Sequence, residues 1–124
     1  LVQVNTSNEE SKFGLPPDEV EGFVQKLPAF SSLCVRGLMT LALFSEDAAK
    51  VRPCFVRLRE LRDRLRQSAP AGVAMDELSM GMSGDYEIAI EEGATVVRVG
   101  QAIFGARAMP DAYYWPSAGE GETN

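Results

Sequence analysis

The sequence contains no histidine, only two cysteines, and no apolar run approaching the roughly 20 residues that span a bilayer. The lack of histidine excludes a Ser-His-Asp or Cys-His catalytic device. Cys34 and Cys54 do not form a CxxC pair, so a metal site would depend almost wholly on carboxylates and none is expected. We expect both thiols to be buried and reduced, with a disulfide or a reactive thiol as the alternative.

Charge and the amino-terminal segment exclude further classes of protein. The 18 acidic and 12 basic residues give a net charge of -6, which argues against a general nucleic-acid binder. Neither a signal peptide nor a membrane span is indicated. The chain of 124 residues is long enough for one domain, which we assign to residues 1–109. Residues 110–124 are predicted to form a tail whose last residues are disordered. Since Leu1 lies within an apolar run and is not methionine, we expect a cut or partial sequence.

The order of elements predicts an α/β fold. Strands are expected over residues 1–5, 33–40, 76–81 and 95–100, with helices over 18–27, 47–67 and 85–92. Residues 101–107 are expected to open as a helical turn. Alternation of strand and helix predicts parallel β/α units, with the helices covering the sheet.

The longest predicted helix, over 47–67, has one apolar stripe at spacings of three and four. Its members are Val51, Phe55, Leu58, Leu61 and Leu65. Arginines cover the rest, and Asp63 and Glu60 are spaced to pair with Arg59 and Arg64. An RNA- or partner-binding helix and a solvated outer face are both compatible with this pattern. The acidity of the chain favours the solvated face.

Glycine-rich turns follow the third and fourth predicted strands. They are Gly81-Met82-Ser83-Gly84 and Gly100-Gln101. Glycines let the backbone approach a ligand, and each turn runs into a predicted helix, whose first N–H groups favour an anion. The pair of turns indicates a phosphate site. Ordinary helix capping by Ser83 or Asp85 is the alternative interpretation.

Arg98 stands between Val97 and Val99 in the fourth predicted strand. A guanidinium in such a strand needs an acceptor, because burial of an unpaired charge is very costly. The acceptor is either a carboxylate, such as Asp76, Glu77 or Asp85, or a ligand.

Three segments resemble the pyridoxal phosphate homeostasis protein family, whose barrel is related to the N-terminal domain of alanine racemases. They are "LSMGMSGDYEIAIEEGATVVRVGQAIFGAR" (78–107), "RGLMT" (36–40) and "VNTSNEESKFGL" (4–15). The resemblance implies a TIM (β/α)8 barrel, of which this chain is the second half, strands five to eight. The cofactor lysine of the family stands after the first strand, so none is expected here. Lys12 matches a different lysine of the family.

The resemblance implies pyridoxal 5'-phosphate as cofactor and assigns six residues to its binding. They are Ser79, Met82, Ser83, Arg98, Gly100 and Gln101. Gln101 stands where the family has threonine or serine, so a backbone contact is expected there instead of a hydroxyl contact. Gly84 replaces a usual aspartate. No catalytic residue is assigned.

A cation beside the pyridine nitrogen disfavours its protonation and weakens the cofactor as an electron sink. The resemblance therefore implies a cytoplasmic carrier in vitamin B6 homeostasis, monomeric at full length, with cofactor-accepting apo-enzymes as partners. The alternative is an amino-acid racemase-type enzyme that depends on the same cofactor, which needs a lysine and an opposed acid–base residue. A half barrel that dimerises to close its sheet is a third hypothesis.

Overall fold

A parallel sheet of three strands forms the centre of the computed structural model, which describes residues 1–10 and 12–110. The strand order is β1 (Val2–Gln3), β2 (Val35–Met39), β3 (Val73–Ser79). The helices are α1 (Val20–Lys26), α2 (Ala48–Arg66), α3 (Tyr86–Glu91) and α4 (Gln101–Phe104). Short 3-10 turns, Pro17–Glu19 and Leu27–Ala29, flank α1. The predicted alternation of strands and helices around a parallel sheet is confirmed.

The register of the sheet aligns Val2, Leu38 and Leu78 across the three strands. All three side chains are buried and form the base of the core. The strands β2 and β3 approach closely at Gly37, where a Cβ atom would lie 2.0 Å from the carbonyl oxygen of Glu77. A larger residue at position 37 would therefore force these two strands apart.

The helix α2 packs along the sheet through the predicted stripe. All five stripe residues are buried, together with Cys54. The helix begins where the sequence places it, because the side chain of Asp47 accepts a hydrogen bond of 3.0 Å from the N–H of Ala49. In α1, Val20 and Val24 are buried, but Phe23 is 40% exposed and lines an apolar groove at the amino ends of β1 and β2.

The arginines of α2 bind neighbouring elements, which the sequence did not predict. Arg52 and Arg59 both contact Glu92, which follows α3, and Arg57 donates to the carbonyl oxygen of Thr6. The expected pairing along the helix differs as well: Asp63 contacts Arg62 and Arg66, at 3.0 and 3.9 Å. Arg62 and Arg66 also donate to carbonyl oxygens of β3, those of Asp76 and Met75. These contacts attach α2 to the rest of the domain.

The third strand begins earlier than predicted. The sequence places a loop up to residue 75, whereas β3 starts at Val73. Val73 pairs with Val35 at the start of β2, and this non-local partner extends the strand.

The fourth predicted strand is reduced to one bridge, between Ser79 and Val96. Val96 accepts from the N–H of Met80, and its own N–H donates to Leu78, as in a parallel ladder. The N–H of Arg98 then bonds the carbonyl oxygen of Gly81, one residue beyond the regular position. This slip, at a glycine with a φ of 103°, ends the ladder.

Two further expectations concern the cysteines and the carboxyl-terminal tail. Cys34 is exposed, so the prediction that both thiols are buried is wrong for this residue; it precedes β2 and lies outside the sheet. Cys54 is buried as predicted. The predicted tail lies, from residue 111 on, outside the described residues.

Candidate phosphate-binding site

A cavity of about 370 Å³ opens at the carboxyl ends of β2 and β3. In parallel α/β proteins this edge is where ligands bind. Three segments line the cavity, namely residues 40–45, residues 81–85 and a third group made of Gly100, Gln101, Phe104, Gly105 and Arg107. The two glycine-rich turns singled out in the sequence therefore face one common space.

The first turn, after β3, is shaped by Gly81 and Asp85. Gly81 has a φ of 103°, and a Cβ atom there would lie 2.8 Å from the Cβ of Ala89, so α3 packs directly on this glycine. Asp85 accepts a hydrogen bond of 2.7 Å from the N–H of Met82. This bond occupies the amide of Met82, a half-exposed residue that lines the cavity.

The second turn is joined to the first by Ser83. Its hydroxyl oxygen accepts a hydrogen bond of 3.1 Å from the N–H of Ala102 in α4. The hydroxyl proton remains available to donate, because a serine hydroxyl has one proton and two lone pairs. Ser83 thus fixes the distance between the two turns and keeps a donor for an anion.

Gly100 leaves an open cradle in the wall of the cavity. Apart from Gly100 and its two chain neighbours, no described residue has an atom within 4 Å of the position that a Cβ would take there. Its φ of -110° is one that any residue can adopt, so neither strain nor a neighbouring side chain calls for glycine. Close approach of a ligand to the backbone would call for it.

Arg98 reaches the wall of the cavity through Thr40. Its Nη2 donates a hydrogen bond of 2.8 Å to the carbonyl oxygen of Thr40, a residue that lines the cavity. Its Nε is buried and is the one such side-chain polar atom, among the described residues, without a hydrogen-bond partner. Burial lowers the pKa of Arg98, and the negative charge of Asp85 opposes that effect. Two of the carboxylates considered as acceptors for Arg98 have other roles. Asp85 raises the pKa of Arg98 through its charge, and Glu77 accepts a hydrogen bond from the hydroxyl of Thr95.

The structure therefore divides the six predicted site residues into two groups. Met82, Ser83, Gly100 and Gln101 line the cavity. Arg98 and Ser79 are not among the lining residues: Arg98 contacts the wall at Thr40, and Ser79 is buried as the last residue of β3.

Several residues of the cavity were missed by the sequence analysis. Phe44 and Phe104 flank the space and are 97% and 87% exposed. Arg107 adds a cation to the wall. Phe104 and Arg107 lie in the segment 78–107, which carries the family resemblance, so the sequence could have indicated them. Nothing in the local sequence marks Phe44.

Lys12 binds the loops above the sheet to one another. Its Nζ donates to the carbonyl oxygen of Ala42 at 2.5 Å and contacts a carboxylate oxygen of Glu9 at 2.8 Å. It does not line the cavity, and no lysine is found among the described residues that do. Among residues 1–10 and 12–110 there is no group of three or more side chains suited to hold a metal ion. None of the described helices is long and apolar enough to cross a membrane.

Comparison with known proteins places this geometry in a family. The family described as "Alanine racemase, N-terminal domain" matches residues 1–108. The chain belongs to this family. Its curated relatives include pyridoxal phosphate homeostasis proteins of Aquifex aeolicus, 45% identical over 107 residues, and of Homo sapiens, 44% identical over 109 residues. Each match covers 86% of this chain, but 46% and 40% of the relative, so the chain spans less than half the length of these relatives.

Solved structures with the same fold agree with this membership of the alanine racemase N-terminal domain family. A crystal structure of an unknown protein from Bifidobacterium adolescentis is 44% identical, with a TM-score of 0.79 over 84% of this chain and 42% of that one. PipY of Synechococcus elongatus is 36% identical. Its structure without PLP matches with a TM-score of 0.76 over 84% of this chain and 48% of PipY. Its structure with PLP bound matches with a TM-score of 0.68 over 84% of this chain and 47% of PipY.

Proposed function

We propose that this chain provides the phosphate-binding side of a pyridoxal 5'-phosphate site in a protein of vitamin B6 homeostasis. The observation that carries the proposal is the common cavity of the two glycine-rich turns, joined by the hydrogen bond from Ala102 to Ser83. Relatives named pyridoxal phosphate homeostasis protein and the PLP-bound PipY structure support the choice of ligand.

Two features of the described residues suit a phosphate-bearing ligand. The cradle at Gly100 lets an oxygen atom approach the backbone of Gly100 and Gln101, as a side chain at position 100 would not. The buried, unpartnered Nε of Arg98 is a donor that lacks an acceptor within the described residues. An anionic or ring-nitrogen acceptor near Arg98 would remove the free-energy cost of burying this donor without a partner.

We also infer that the four β/α units are strands five to eight of a (β/α)8 barrel. In such barrels a phosphate is frequently held by the loops after strands seven and eight and by the start of a short extra helix. Here the turns at 81–84 and 100–101 follow the third strand and the fourth predicted strand, and α4 is a short helix of four residues. This correspondence would give β1, β2 and β3 the positions five, six and seven.

The described residues suit holding the cofactor better than catalysis with it. When bound, pyridoxal phosphate would supply an aldehyde and an electron-withdrawing ring. The cavity wall offers backbone N–H groups, serine hydroxyls and an arginine. Its described members include one carboxylate, Asp85, but no lysine, histidine or tyrosine to act opposite it as an acid–base partner. No observation here favours the racemase-type alternative. Cofactor-accepting apo-enzymes are the proposed recipients, and two free cysteines suit a reducing cytoplasm.

Titration of the chain with pyridoxal phosphate, pyridoxal and inorganic phosphate tests the proposal. We expect pyridoxal phosphate and phosphate to bind, and pyridoxal to bind at least about tenfold more weakly than pyridoxal phosphate, because it lacks the group that the turns hold. Borohydride treatment followed by mass spectrometry should show no specific lysine adduct. Equal binding of pyridoxal and pyridoxal phosphate, or no binding of either phosphate compound, would contradict the proposal.

A further inference from the structure

A buried pair of threonine hydroxyls lies directly behind the acceptor of Arg98. Thr6 and Thr40 are 1% and 0% exposed, and their Oγ1 atoms are 2.8 Å apart. Thr6 follows β1 and Thr40 follows β2. The pair therefore joins the carboxyl ends of two strands at the edge where the cavity opens.

The direction of the hydrogen bonds in this pair follows from counting protons. The hydroxyl of Thr40 donates to the carbonyl oxygen of Val4 at 2.7 Å, since that oxygen has no proton of its own. A second, long contact of 3.5 Å runs from the same hydroxyl to the carbonyl oxygen of Leu41. A hydroxyl has one proton, so Thr40 must accept in its contact with Thr6, and Thr6 donates.

The backbone of Thr40 is held from its other side as well. Its N–H donates a hydrogen bond of 3.0 Å to the carbonyl oxygen of Ser79. Thr6 is anchored in turn by Arg57, whose Nη1 donates to its carbonyl oxygen at 2.8 Å. The carbonyl oxygen of Thr40 thus has a fixed position, and it is the acceptor for Nη2 of Arg98.

We propose that Thr40, supported by Thr6, is a positioning residue for Arg98. The buried hydroxyl pair fixes the Thr40 carbonyl and the carbonyl holds one end of the guanidinium, which leaves the unpartnered Nε as the donor for a ligand acceptor. Thr40 acts through Arg98 and forms no ligand contact with its side chain. As regards the ligand, the inference rests on the proposed function.

A double-mutant cycle tests whether Thr40 acts through Arg98. Thr40→Val keeps the shape of the side chain and removes its hydroxyl, and we expect it to weaken binding of pyridoxal phosphate about fivefold in an otherwise unchanged chain. In an Arg98→Ala background the same change should weaken binding less than about twofold. Thr40→Ser, which keeps the hydroxyl, should bind like the parent chain. An equal loss in both backgrounds, or no loss in the parent background, would overturn the proposal.

A measurement without ligand separates this proposal from the proposed function. In a proton–nitrogen NMR spectrum, a fixed guanidinium gives a separate Nε–H signal that exchanges slowly with solvent. We expect such a signal for Arg98 in the parent chain and in Thr40→Ser, and its loss by exchange in Thr40→Val, with the backbone amide spectrum otherwise folded. A protected signal that persists in folded Thr40→Val would overturn the proposal, whether or not the chain binds pyridoxal phosphate.

Discussion

The hydroxyl oxygen of Ser83 accepts a hydrogen bond of 3.1 Å from the backbone N–H of Ala102, 19 residues further along the chain. Ser83→Ala should break this link and remove a donor from the cavity. We expect the dissociation constant for pyridoxal phosphate to rise about tenfold, with about 1 kcal/mol lost from the free energy of unfolding. Urea unfolding and ligand titration measure the two effects. Ser32→Ala, in an exposed turn away from the cavity, is the matched control. Unchanged binding in Ser83→Ala would contradict a role for its hydroxyl.

We expect Arg98 to contribute to pyridoxal phosphate binding without increasing the free energy of unfolding. Its guanidinium is partly desolvated and has one acceptor among the described residues, so Arg98→Met should leave the free energy of unfolding unchanged or raise it by less than about 1 kcal/mol. The same variant should weaken pyridoxal phosphate binding about tenfold or more, because a charge-assisted hydrogen bond is lost. Arg36→Met, at an exposed position of β2, makes the same change in net charge and should bind normally. If both variants lose affinity equally, the effect is one of net charge.

Gly100 tests the open cradle. Gly100→Ala meets no described atom and needs no unusual φ, so the free energy of unfolding should rise by about 0.5 kcal/mol. Binding of inorganic phosphate should nevertheless fall about tenfold, because the methyl group would fill the space that the ligand needs. Gly22→Ala, in α1, also meets no atom; it should stabilise the chain by about 1 kcal/mol and leave binding unchanged. Equal phosphate affinity of the two variants would place the ligand elsewhere.

The contact between α2 and α3 should depend on pH. The hydrogen bond from Arg52 lowers the pKa of Glu92 below its ordinary value of 4.5, and Arg59 acts in the same direction, whereas burial opposes them. The contacts of ionised Glu92 with these two arginines stabilise the folded state above pH 4.5. This stabilisation is lost as the pH falls through the lowered pKa of Glu92 in the folded state.

Glu92→Gln should therefore cost about 1 kcal/mol in the free energy of unfolding at pH 7, and the cost should shrink in acid below pH 4.5. Glu91→Gln is the control, since the side chain of Glu91 is 61% exposed and, within the described residues, forms its ion pair with Arg52 alone. Urea unfolding at pH 7 and pH 3 measures both variants. A cost of Glu92→Gln that stays constant across this range would contradict the assignment.

The sequence predicts those parts of the fold that local patterns determine. The helix α2 was placed within one residue at each end, because its stripe and its capping residue Asp47 lie in the same short stretch. The start of β3 was missed because Val73 belongs to the sheet through Val35, which lies far away in sequence. The strand propensity of a short stretch of sequence carries no information on a pairing partner that lies far away in the sequence.

The same distinction applies to the candidate site. The two glycine-rich turns were predicted, since glycine next to a strand end is visible in the sequence, and they do line one cavity. The acceptor of Arg98 was not predicted, because it is a backbone carbonyl 58 residues away and every residue has such a group. Side-chain type therefore indicated that Arg98 needs an acceptor, but not that Thr40 provides it.

The most direct test of the central claim is an NMR titration of the chain with pyridoxal phosphate, followed through the backbone amide signals. The account predicts that the largest changes occur at Ser83, Gly84, Gly100 and Gln101, with smaller changes at Thr40 and Arg98, and that Gly100→Ala needs about tenfold more ligand to reach them. Changes confined to the apolar groove near Phe23 and Leu33, or changes that appear at the same ligand concentration in Gly100→Ala, would show that the glycine-rich turns do not hold the phosphate.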